Sequence, residues 1–195
     1  LDRAARITNE VIAEVEKAVA GRPAGSLREI DVAHLVEREA LARGAEGLGF
    51  ETLAAGPSRS WGIHCFPSFT AGPFGGPGLS ILDFGVRVDG YTTDVTLTVA
   101  RGPLSAEQQR MVELVEPAYA VSVAAVAAGV SPREPALRAD EVFSAAGLRM
   151  PHALGHGGPA SGRLPLPAPA AARLPARAVG GPRPRLPALE PRLRL

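Results

Sequence analysis

Asp83 and Asp94 are the two residues whose type and spacing point most sharply to chemistry. They lie in SILDFGVRVDGYTTDVTLTVAR (residues 80–101), where two alternating, β-branched-rich runs flank Asp89-Gly90. That dipeptide predicts a type I′ hairpin turn. With Asp89 and Gly90 in the turn, Val88 faces Tyr91 and Asp83 faces Thr96. Asp94 then shares a face with Asp83 on the diagonal, roughly 7–8 Å away at the backbone. Carboxylates in otherwise apolar strands need a cationic companion, because an unpaired one is very costly to bury. A single such aspartate most often bonds a loop or an arginine. Two on one face, with His64, His152 and His156 elsewhere in the chain, favour a metal pair.

Several elements must hold these residues. Residues 2–19 predict a helix with Ala4, Ile7, Val11, Ile12, Val15 and Val19 as its apolar stripe, and GRPAG breaks it. Ser26-Leu-Arg-Glu29 reads as a capping box opening a second helix to about Ala42, with Ile30, Ala33, Val36 and Ala40 inward. His34, among charged neighbours on that helix, has no assigned role. Residues 48–56 read as one short strand. The Gly-, Pro- and Ser-rich loop of residues 56–78 follows, and its length suits a functional segment. It carries Trp61, His64, Cys65 and Phe66, which argues against simple disorder. By residue type alone His64 is an ordinary polar loop residue, and Cys65 an ordinary buried or partly buried thiol, with no second Cys or base partner. After the hairpin, Ser105-Ala-Glu-Gln108 opens a helix to about Ala128 that Pro117 should kink. A shorter helix, residues 136–146, ends at Gly147. The order helix, helix, strand, hairpin, helix, helix suits an α+β domain with helices packed on a curved antiparallel sheet.

Composition narrows the function classes. The chain has 195 residues, 46% hydrophobic and 21% charged, with a net charge of +1. Residues 159–195 hold seven arginines and one acid, so residues 1–158 are net −5. A mildly acidic body carries no nucleic-acid-binding signature. One cysteine excludes an internal disulfide and fits a reducing, cytoplasmic compartment. No apolar run reaches the length of a membrane span, and no signal peptide opens the chain.

The second chemical segment is LRMPHALGHGG (residues 148–158), with His152 and His156 four apart. Gly155 and Gly157 favour a strand or loop backbone, where positions four apart still share a face. Together, DFG-x₄-GYTTD, this histidine pair and His64-Cys-Phe-Pro67 resemble the "pita-bread" metallopeptidases: methionine aminopeptidase, aminopeptidase P, prolidase and creatinase. Gly85, two after Asp83, and the GYTTDVT run resemble the Xaa-Pro branch most; Leu97 departs from it, where those enzymes commonly have arginine. The resemblance covers about residues 3–158. It implies Asp83, Asp94 and His156 as ligands of two divalent metal ions, Mn or Co ahead of Zn or Fe. It implies His64 and His152 as catalytic residues contacting substrate, and a peptide with proline in second position as that substrate. The implied activity is hydrolysis of an N-terminal peptide bond by a metal-activated water, with a homodimer as one assembly. A non-catalytic pita-bread module that binds a peptide or protein is the alternative; such relatives have generally lost metal ligands.

At Gly158 the composition changes. Residues 159–195 contain nine prolines and no Asp, Lys, Asn, Thr or aromatic residue, which predicts a disordered or irregular tail. The resemblance implies strands there with two glutamate ligands, yet Glu190 is the single acid. The expectation is a catalytic domain over residues 1–158, a fragment opening at Leu1 and incomplete at its C-terminus. A shifted reading frame near Gly158 would explain the tail; a natural Pro/Arg-rich tail is the alternative. Resequencing the DNA tests it, since the alternative frame should encode two glutamate motifs.

Overall fold

The computed structural model describes residues 1–62, 64–150 and 154. His152, His156 and the 159–195 tail lie outside the described residues. Two compact units result, one covering residues 1–105 and one beginning at Ala106.

The first unit begins with α1 (Asp2–Ala20), and all six residues of its expected stripe are buried. Each large one, such as Ile7 or Val11, contributes about 1.5–3 kcal/mol of burial. β1 (Leu27–Arg28) and α2 (Glu29–Ala42) follow. Here the expected capping box is corrected. The Ser26 hydroxyl bonds the Pro23 carbonyl at 2.8 Å instead. Leu27 and Arg28 stay extended because they pair with β4 (Pro73–Phe74), so the helix starts only at Glu29. Arg28 and Asp31 close it reciprocally, with the guanidinium 2.6 and 2.9 Å from the carboxylate. That contact holds the Asp31 pKa down at about 2.

The single strand expected over residues 48–56 is instead two. β2 (Gly47–Leu48) pairs with β6 (Val86–Val88), and β3 (Leu53–Ala55) pairs with β5 (Gly78–Phe84). β7 (Tyr91–Thr92) completes a β2-β6-β7 sheet, and β8 (Val95–Arg101) a β3-β5-β8 sheet. Every pairing is antiparallel. The core gathers Val11 and Val15 of α1, Val32 and Val36 of α2, and Leu82, Phe84 and Val86 of the strands.

The second unit contains α3 (Ala106–Ala124) and α4 (Arg133–Ala145). α3 runs on through Pro117. The end of α4 folds back at Gly147, where the Leu148 amide bonds the Phe143 carbonyl at 2.9 Å. Ala118, Ser122, Pro135 and Ala139 are the buried residues of the two helices. Among the described residues no helix is long and apolar enough to cross a membrane.

Candidate metal centre

The hairpin fixes where the two aspartates stand. Asp89 and Gly90 have φ of 53° and 74°, as a type I′ turn requires. Val88 faces Tyr91, and Asp83 faces Thr96, so the expected register holds on both sides of a break. Between Phe84 and Val86 the ladder opens, and β5 and β6 pass into different sheets without any residue being inserted. Thr93 fills the break. Its amide bonds the Val86 carbonyl, its hydroxyl accepts from the Val86 amide at 3.0 Å, and that hydroxyl meets Thr8 of α1 at 2.7 Å. The close approach demands glycine at 85, where a Cβ would lie 1.9 Å from the Thr93 carbonyl oxygen. Gly85, which links the first aspartate to the turn, is therefore required by geometry.

Strand alternation then sorts the side chains. Ser80, Leu82 and Phe84 are buried, whereas Ile81 and Asp83 on the opposite face are half-buried. Thr93 reaches α1, and Val95 packs against the core. Asp94 stands between them, exposed, on the other face with Thr96 and Asp83. Both carboxylates thus share the face turned away from the core. Two hard, anionic oxygen donors of this kind fit a divalent cation. Among the described residues no group of three or more His, Cys, Asp and Glu is arranged to hold a metal ion, so the fit rests on these two alone.

His64 is exposed in a turn of the loop between β3 and β4, with Trp61 at 86% and Phe66 at 95% exposure on either side. Cys65 is half-buried, its thiol against the carbonyls of Arg59 and Gly62. His34 is also exposed, edge-on to Phe69 at a centroid distance of 6.3 Å.

Sequence reasoning missed Glu29. It is 1% exposed, and its carboxylate accepts hydrogen bonds from the amides of Gly56 and Thr70, both at 2.7 Å, and from the Thr70 hydroxyl at 2.6 Å. It also pairs with Arg59, which reaches on to the Pro67 carbonyl. Gly56 must lack a side chain here, since a Cβ would meet the Pro73 carbonyl oxygen at 1.9 Å. The glutamate's place in an apparent capping box hid it, because its true partners are 27 to 41 residues away.

The profile of metallopeptidase family M24 matches residues 1–159. The uncharacterized peptidase YqhT of Bacillus subtilis is 32% identical over 133 residues, 67% of this chain and 37% of that protein. The X-Pro aminopeptidase of Thermotoga maritima superposes with a TM-score of 0.70 at 25% identity, covering 89% of this chain and 47% of that one. The prolidase of Pyrococcus furiosus gives a TM-score of 0.73 at 24% identity, covering 90% and 49%. The chain spans little more than a third of the length of the curated relatives it matches.

Proposed function

The chain belongs to metallopeptidase family M24 and has its pita-bread fold, and from that membership we propose a metal-dependent peptidase site of the Xaa-Pro aminopeptidase or dipeptidase type. The single observation that carries this reading is the hairpin register, which sets Asp83 and Asp94 on one face away from the core. In the proposal these two carboxylates and His156 hold divalent cations, Mn or Co. When bound, such ions lower the pKa of a water and polarise a peptide carbonyl. Asp83 and Asp94 supply the negative charge that keeps cations at the sheet surface. In the same reading His64, exposed at its loop, and His152 are the residues that would contact substrate. The substrate class is a peptide with proline in second position.

Of the expected ligands, residues 1–158 carry Asp83, Asp94 and His156, and residues 159–195 add a single acid, Glu190. The expected turnover is therefore low. The test is a Mn²⁺ titration of the purified chain, followed by an assay on an Xaa-Pro peptide with excess Mn²⁺ or Co²⁺. Asp83→Asn and Asp94→Asn should each weaken Mn²⁺ binding at least tenfold; unchanged affinity in both would remove the reading and favour a non-catalytic peptide-binding module. Turnover at roughly 1–1000 per second would mean that the tail completes the centre, and its loss in Glu190→Ala would identify the ligand.

A further inference from the structure

The loop between β3 and β4 leaves and re-enters the fold at one carboxylate. At its entry, the Gly56 amide bonds Glu29 Oε1; at its exit, the Thr70 amide and hydroxyl both bond Glu29 Oε2. The backbone repeats the closure: the Glu29 amide donates to the Gly72 carbonyl at 2.8 Å and the Ile30 amide to the Thr70 carbonyl at 3.0 Å. Arg59 ties the middle of the loop to the same carboxylate and to the Pro67 carbonyl. Smaller bonds stiffen the remainder. The Ser60 hydroxyl meets the Leu79 carbonyl at 2.6 Å, and the Trp61 indole meets the Ser58 carbonyl at 3.0 Å. What projects from this frame is Trp61, His64 and Phe66, all exposed.

A buried carboxylate is a poor device for stability alone. Removing it from water costs several kcal/mol, and well-packed apolar residues often serve equally well. Fully satisfied by donors from entry, middle and exit, it gives something an apolar contact cannot: one geometry for the whole loop. We infer that Glu29 is a positioning residue that fixes the 56–72 loop and, through it, the place of His64. Its consequence for peptide contact rests on the peptidase reading above. Glutamine at 29 keeps the shape but has one acceptor oxygen. Its amide N–H₂ must face either the Gly56 amide or the Thr70 and Arg59 donors, donor against donor. One end of the loop is then released.

The chain carries its own reporter, because Trp61 is its one tryptophan. Time-resolved anisotropy of Trp61 in the full chain should show sub-nanosecond wobble at least doubled in Glu29→Gln and in Thr70→Val. Thr70→Ser, which keeps the hydroxyl, should retain the original wobble, and far-UV dichroism should hold in all three. The His64 ring resonance, identified by its loss in His64→Gln, should shift on titration with Ala-Pro dipeptide, and that response should weaken about tenfold or more in Glu29→Gln. Should Glu29→Gln lose its helical signal, Thr70→Val carries the comparison, since it removes the hydroxyl donor alone and leaves the carboxylate with the amides of residues 56 and 70 and with Arg59. Unchanged Trp61 mobility in the folded variants overturns the inference. If instead His64 of the original chain ignores the dipeptide while Trp61 loosens in Glu29→Gln, the loop clamp stands and the peptidase reading falls.

Discussion

α1 and α3 are both 19 residues long, yet they meet their surroundings differently. α1 buries Ala4, Ile7, Thr8, Val11, Ile12, Val15 and Val19, one continuous stripe. α3 buries only Ala118 and Ser122. Met111, Val112, Val115, Tyr119, Val121 and Val123 remain 38–50% exposed around it. The lesson concerns pattern rather than content. α1 concentrates its apolar residues on one side and leaves charges on the other, which suits a helix lying with one face on the core formed by α2 and the strands. α3 spreads them around the cylinder, so no single face can bury them all.

Three experiments would break or sharpen that contrast. The largest effect is expected from Ile12→Ala, about 2–5 kcal/mol of lost stability from the emptied volume. Val115→Ala on α3, half exposed, should stay within about 0.5 kcal/mol. Chemical denaturation of both variants checks the pair, and similar losses would show that α3 is packed as α1 is. Gly85→Ala comes next. Its Cβ collides with the Thr93 carbonyl, and displacing that backbone should cost about 1–3 kcal/mol. Hydrogen exchange should quicken at α1 amides and stay unchanged at α3 amides; equal quickening at both would make the two units one cooperative body. Acid gives the smallest effect. The Arg28 hydrogen bond holds Asp31 at about 2, below its ordinary 3.8, so its contribution is present above about pH 4 and is lost as pH falls towards 2. Melting curves across that range should show this step in the original chain and lack it in Asp31→Asn. An identical acid response in Asp31→Asn would assign the step elsewhere.

Much of the first unit could be read directly. α1 follows from a 3.6-residue apolar period, and the hairpin register follows from Asp89-Gly90, whose preference for positive φ leaves little freedom in the turn. Local signals of this kind need no partner. The errors arose where a distant segment decided. Ser26-to-Glu29 has the composition of a helix start, but β4 pairs with Leu27 and keeps the chain extended. The stretch at 48–56 looks like one strand, but two different strands claim its ends. Glu29 is the clearest case, since nothing within a helical turn of it announces Gly56, Arg59 or Thr70.

The uninterrupted register across the break beside Gly85 also constrains how this segment could change length through descent. Side chains alternate along β5 and β8, so one residue gained or lost within a paired arm, between an aspartate and the turn, would turn that aspartate to the opposite surface. Length changes in those arms that preserve the pair would have to occur in twos, or be matched on the facing strand, and always outside the residues crowded around Thr93. A survey of natural variants in this segment should therefore find insertions of either parity at the exposed Asp89-Gly90 turn, and only even-numbered ones within the paired arms, wherever both aspartates persist.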